Sequence, residues 1–161
     1  MKVSMQENIN IRVANPQENY LIAKHLYLMW QDIGVPKDSI ESNWLEITEE
    51  YIDKARQQLF YQAFLAELNN TIVGSVSCQI FAGLYPNILK PEYRKRGYIW
   101  GVYVEPDYRR QGIAKKLVGE AIAYLKSIDC TQVTLHGSPQ GKPLYSHLGF
   151  DENNEMKLDL S

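Results

Sequence analysis

Residues 98–120 hold the residue types whose order could do chemistry. An apolar run, Tyr98-Ile99-Trp100-Gly101-Val102-Tyr103-Val104, stops at Pro106. A basic turn with a glycine follows, Arg109-Arg110-Gln111-Gly112, and apolar residues then recur at helical spacing through Ile113, Leu117, Val118, Ala121, Ile122 and Leu125. Strand, basic glycine turn and helix in that order present bare backbone N–H groups and a positive helix end to an anion. The ligand predicted is a phosphate-bearing cofactor. Gly112 has no Cβ, so a diphosphate can come close to the backbone. Arg109, Arg110, Lys115 and Lys116 add positive charge. The competing reading is an ordinary solvated basic first turn of a surface helix.

Other reactive side chains are thinly spread. His136, at the end of a predicted strand, is a candidate base because a free imidazole has a pKa near 6.5, although a lone histidine there is more often structural. His25 falls on an amphipathic helix with no partner pattern and reads as a surface residue, and His147 as a helix-face residue. Cys78 and Cys130 form no disulfide framework and lack metal-ligand spacing, so both read as small buried hydrophobes.

The elements that must position these residues follow from patterning. Ile9 to Val13 alternates as an edge-type strand, and Asn15-Pro16 opens a helix carrying Tyr20, Leu21, Ala23, Leu26, Tyr27, Trp30 and Ile33. Gly34 and Pro36 end it. Asp38 with Glu41 reads as a capping box for a second helix holding Ile40, Trp44, Leu45, Tyr51, Ile52 and Ala55. Phe60–Leu68 and Thr71–Phe81 read as an antiparallel pair turned at Asn69-Asn70, since asparagine tolerates left-handed turn conformations. Residues 83–97 lack periodicity and read as a loop covering a site. Thr131 to His136 is a strand, Lys142 to Leu148 a short helix closed by Gly149, and Glu155 to Leu160 a final strand. The expected fold class is α/β, a mixed sheet with helices packed against it, in one domain over residues 1–161.

Composition sets the outer bounds. The chain has 161 residues, 45% hydrophobic and 22% charged, with a formal net charge of −2. That length buries a core without disulfides or metals. The weakly acidic balance gives no general nucleic-acid or anionic-membrane signal. No signal-peptide pattern and no run of about 20 apolar residues is present, so a cytoplasmic protein without a membrane partner is expected.

The segment from Tyr98 to Leu160 resembles the GNAT superfamily of N-acetyltransferases. Its cofactor signature, R/Q-x-x-G-x-G/A, is met by Arg109-Arg110-Gln111-Gly112-Ile113-Ala114, and Leu144-Tyr145-Ser146-His147-Leu148-Gly149-Phe150 matches the family's Leu-Tyr-x-x-x-Gly-Phe element. The resemblance implies the GNAT fold, a central mixed β-sheet flanked by helices, with acetyl-CoA as co-substrate. It implies that Arg109, Arg110, Gln111, Gly112, Ile113, Ala114 and Lys115 cradle the pyrophosphate. Val102, Tyr103 and Val104 would pair their backbone with the pantetheine arm, an amide near Val104 polarising the thioester carbonyl. Tyr145 would protonate the departing thiolate, a role for which a phenol of pKa near 10 is matched to a thiol near 8.5. Ser138 stands where many relatives carry an asparagine that contacts the cofactor, and Lys142 is a second candidate for that contact.

Some relatives use a glutamate as base near the start of the strand, and this chain has none within it. Glu105, Tyr98, Tyr103, His136 and a water relay all stay open. No Cys or Ser sits in a nucleophile motif, so direct transfer in a ternary complex to a primary amine of a small molecule or peptide is implied. Tyr27, Trp30, Trp44 and Tyr85 could line the acceptor pocket. A regulatory module that binds acyl-CoA without efficient catalysis is the alternative, and the presence of Tyr145 counts against it. Homodimers are common in the family, and the terminal strands offer edges for one.

Overall fold

The computed structural model describes residues 8–161. Five strands form one sheet in the order β1-β2-β3-β4-β5: β1 Asn10–Val13, β2 Gln62–Leu68, β3 Thr71–Ile80, β4 Arg96–Val104 and β5 Gln132–Leu135. The first four are antiparallel to their neighbours, and β4 and β5 are parallel. The β2–β3 turn is the expected one, with Asn69 and Asn70 at φ 49° and 64° and Leu68 facing Thr71. The parallel β4–β5 pair requires a crossover, which α3, Ile113–Ser127, supplies.

Each face of the sheet is covered because each helix buries one stripe. Helix α3 turns Ile113, Leu117, Val118, Ala121 and Leu125 onto Val73, Val76, Ile99 and Val104. On the opposite face α1, Asn19–Asp32, and α2, Trp44–Gln58, set Ile22, Ile52 and Ala55 against Ala63 and Leu65. A Cβ at Gly97 would lie 2.9 Å from Leu125, so only glycine lets α3 sit this close to β4.

A bulge in β4 then changes which residues face which way. Ser75 pairs with Tyr103 and Ser77 with Trp100, so Gly101 and Val102 together oppose Val76. Gly101 takes φ 67°, a left-handed value suited to glycine in such a bulge. The extra residue switches parity. Ile99, Val102 and Val104 all pack with α3, whereas Trp100 packs with the α1–α2 side and Tyr103 lies 4.9 Å from the α1 residue His25.

Several expectations are corrected. Residues 151–161 contain no strand, and Met156, Leu158 and Leu160 are more than 80% exposed. An alternating pattern is not enough without a neighbour to complete a ladder. The second helix starts at Trp44, not after Asp38. Lys37–Ser39 is a single 3₁₀ turn, Ile40 is extended at φ −103° and ψ 132°, and Asp38 and Glu41 form no capping box. The box lies earlier, where Glu18 Oε1 accepts from the Asn15 amide at 3.1 Å. The irregular loop is shorter than expected, because Arg96 and Gly97 belong to β4. Among the described residues no helix is long and apolar enough to cross a membrane.

Candidate active site

The site begins where β5 stops. Parallel pairing runs from Arg96–Gln132 to Ile99–Leu135 and goes no further, so β4 continues from Trp100 to Val104 with no strand on that side. The opening is a cavity of about 1160 Å³ lined by Trp100 to Val104, the start of α3, residues 135–138 and Tyr145. One backbone group in this edge can be oriented from its neighbours. Glu105 donates its N–H to Val73 O on β3 at 2.8 Å, so the Val104 carbonyl across that trans peptide points the other way. Arg109 Nε donates to this carbonyl at 2.7 Å. In an extended residue N–H and C=O share a side, which turns the Val104 N–H to the unpaired edge as well.

The basic turn closes one end of this edge. Arg110 and Gly112 both take left-handed φ, 61° and 81°, and Gly112 is the N-cap of α3. Lys116 N–H bonds to Gly112 O at 3.2 Å, so the amides of Ile113, Ala114 and Lys115 emerge from the helix end without a preceding turn to receive them. Of the signature Arg109 to Ala114, all but Gln111 line the cavity, as does Lys115. The Arg109 guanidinium is committed elsewhere. It bridges the Val104 carbonyl and Asp32 Oδ2, the latter at 2.6 Å, and lies over the Tyr103 ring. The cationic side chains left at this end of the cavity are those of Arg110 and Lys115.

Helix α4, Lys142–His147, brings Tyr145 to the opposite wall. A Cβ at Gly141 would lie 2.8 Å from the Tyr145 ring and one at Gly137 would lie 3.1 Å away, so two glycines make the slot that holds it. Burial raises the phenol pKa. Its hydroxyl makes no hydrogen bond to the other described residues. Ser138 lines the same wall, its Oγ accepting from the Gly141 amide at 3.2 Å. Lys142 turns instead to Glu152, at 3.1 Å.

The far side of the cavity is aromatic. Trp100 Nε1 donates to Gln79 Oε1, and Gln79 Nε2 donates to the Tyr51 hydroxyl, both at 2.9 Å. The buried amide of Gln79 thus fixes both rings. Tyr98 Oη lies 2.5 Å from His136 Nδ1, and His136 Nε2 touches Glu155. Burial raises the Tyr98 pKa. Of the four aromatics expected at the acceptor pocket, Trp30 lines it. Tyr27 and Trp44 stack on each other with centroids 4.4 Å apart, and neither they nor Tyr85 nor any other residue of 83–97 before Tyr98 reaches the cavity.

His25 is a second correction: it is buried, not on the surface. Its Nδ1 lies 2.7 Å from Ser75 Oγ and its Nε2 lies 3.4 Å from Glu105 Oε1. Desolvation lowers its pKa, partly offset by Glu105. This contact also engages Glu105 outside the cavity lining. Neither Tyr51, Gln79 nor the His25 contacts could be read from the sequence, because their partners lie 21 to 80 residues away.

A mixed five-stranded sheet flanked by helices, open beside a glycine-capped helix end, is the fold class of the acetyltransferases. The comparisons with known proteins agree. The model of the Acetyltransferase (GNAT) family matches residues 23–150, and the chain belongs to that family, whose co-substrate is acetyl-CoA and whose general reaction is acetyl transfer to an amine. It is 30% identical to a glucosamine 6-phosphate N-acetyltransferase of Trypanosoma brucei brucei over 66% of this chain and 70% of that protein. It is 36% identical to the N-alpha-acetyltransferase 30 of Homo sapiens over 58% of this chain, but spans only 25% of that protein. It likewise spans 29% of an uncharacterized N-acetyltransferase, ycf52, of Gracilaria tenuistipitata var. liui, with 40% identity over 32% of this chain. The structure of a predicted acetyltransferase with acetyl-CoA from Clostridium acetobutylicum superposes with TM-score 0.78 and 25% identity, over 94% of this chain and 96% of that one.

Proposed function

We propose that this chain is itself an acetyl-CoA-dependent N-acetyltransferase, a single catalytic domain over residues 1–161 that passes the acetyl group directly to a primary amine in a ternary complex. The observation that carries the reading is the unpaired β4 edge, which runs from Trp100 to Val104 between the Gly112-capped helix and Tyr145.

In this reading the pantetheine arm, which carries amides like a peptide, takes the place of a missing strand along Val102, Tyr103 and Val104. The diphosphate sits on the amides of residues 113–115, where left-handed Arg110 and Gly112 shape the turn and the side chains of Arg110 and Lys115 add charge. Arg109 belongs to this turn through its backbone, its side chain bracing Val104 and Asp32. The Val104 N–H stabilises the oxyanion, a contribution of about 3–4 kcal/mol for a single donor. Ser138 keeps its hydroxyl proton to donate to the cofactor while its oxygen accepts from Gly141.

Proton traffic has an entrance and an exit. An acceptor ammonium gives a proton to Tyr98 Oη as Tyr98 passes its own to His136 Nδ1, so the amine becomes neutral and Tyr98 ends as it began. The imidazolium is stabilised by Glu155 and, being exposed, returns its proton to solvent. This path requires the His136 tautomer with the proton on Nε2. After attack, the tetrahedral intermediate collapses, the C–S bond breaks, and Tyr145 gives its proton to the thiolate. The acylated nitrogen then loses its extra proton, through solvent, to the Tyr145 phenolate, which leaves a neutral amide, the free thiol and Tyr145 as it began. A phenol whose pKa is raised by burial is fully protonated at neutral pH and ready to protonate the thiolate.

The test is titration calorimetry with acetyl-CoA, followed by thiol release on adding amines, for wild type and Tyr145→Phe. Saturable binding in both proteins, with release slowed about 100-fold in the variant, supports the reading. Equal release rates would remove Tyr145 from its role.

A further inference from the structure

We infer that the acceptor is a monoamine whose amino group is attached to an apolar body. The inference rests on the acetyltransferase reading and deepens it.

The acceptor wall is an apolar stripe that the core does not use. Helix α1 buries Ile22 and Ala23 against the sheet, whereas Met29, Trp30 and Ile33 turn to the cavity, with Ile47 and Tyr51 of α2 opposite. Trp30 is 45% exposed, Ile33 44%, Ile47 46% and Tyr51 49%, so four large apolar or aromatic side chains are left in water around one opening. Their spacing, three or four residues apart on each helix, makes two facing stripes, a surface suited to an apolar ligand.

Charge narrows the class. Among the described residues, the Lys and Arg side chains lining the cavity, Arg109, Arg110 and Lys115, all belong to the cofactor turn, and the one carboxylate, Asp32, is paired with Arg109 at 2.6 Å. A polyamine or aminoglycoside would bury further ammonium groups with no free carboxylate to meet them, which is costly. A sugar phosphate would bring an anion to a wall without a cation. On this wall Trp100 and Tyr51 are already bonded through Gln79, and Thr48 Oγ1 donates to Trp44 O at 2.7 Å. An apolar wall also disfavours the ammonium form of a bound amine, which eases the proton's departure to Tyr98.

The same chemistry is found in a free arylalkylamine and in a peptide whose first residue is apolar. The test measures CoA release from acetyl-CoA with 2-phenylethylamine, a tetrapeptide beginning with Leu, spermidine, kanamycin and glucosamine 6-phosphate, alongside calorimetric binding of acetyl-CoA. Expected is a kcat/KM at least about tenfold higher for 2-phenylethylamine or the Leu peptide than for the other three, and the larger of the two identifies the source. Trp30→Ala should raise KM for that acceptor about tenfold with little change in kcat, and Ile47→Glu should reverse the preference toward spermidine. Both positions are exposed, so folding is not at issue. Preference for spermidine, kanamycin or glucosamine 6-phosphate would overturn the inference and leave the acetyltransferase reading standing. Acetyl-CoA binding without release on any amine would also overturn it, and no binding at all would remove both.

Discussion

The ring of Tyr145 rests against the backbone of Gly141, where an added Cβ would come within 2.8 Å of its Cε2 atom. Glycine at 141 therefore sets where the phenol points. Gly141→Ala should push the ring out of its slot and lower kcat about 10- to 100-fold, because small misplacements of a catalytic group are costly. Acetyl-CoA affinity, measured by calorimetry, should change little. A variant with unaltered kcat would show that the ring's position does not govern the rate.

Gly112 holds φ 81° at the start of α3, beside the amides of Ile113 and Ala114. Gly112→Glu sets a carboxylate where the diphosphate is proposed to bind and forces a side chain into left-handed backbone, a cost of about 1–2 kcal/mol by itself. Calorimetry should detect no acetyl-CoA binding while circular dichroism shows a folded protein. Retained affinity would move the cofactor site away from this helix end.

Tyr98 and His136 are 2.5 Å apart at the cavity wall. If they carry the amine proton, His136→Gln should lower kcat/KM about 100-fold at neutral pH, and Tyr98→Phe should do the same. A purely packing role would leave kcat/KM of the folded variants near the wild-type value. Glu155→Gln, acting only through the imidazole, should have the smaller effect.

Buried His25 gives the fold its own pH dependence. Its folded pKa is lowered, chiefly by desolvation, so below the ordinary histidine value near 6.5 the unfolded chain binds a proton that the folded chain resists. Stability should therefore decline as pH falls from 6.5 toward the lowered folded value and gain nothing from this residue above it. Urea denaturation at pH 7.5 and 5.5 should show a smaller difference for His25→Gln than for wild type, even though that variant is less stable at both. Equal differences would mean that His25 does not titrate on unfolding.

The sequence by itself determined the parts whose physics is local. The Arg109 to Ala114 turn, the α3 stripe from Ile113 to Leu125, the Asn69-Asn70 hairpin and the short helix bearing Tyr145 all rest on neighbours within a few residues, and all were legible. Tertiary structure decided what depends on distant partners. A bulge at Gly101 sends Val102 to α3 and Tyr103 toward α1, although strict alternation would reverse them. β5 releases β4 after Ile99, and an early stop in pairing leaves no mark in either strand's composition. His25 is buried because Ser75 and Glu105, 50 and 80 residues further along, receive its two nitrogens. The pattern from Met156 to Leu160 predicts a strand, yet alternation specifies only which residues would share a face, and a strand forms only where another backbone offers its hydrogen bonds.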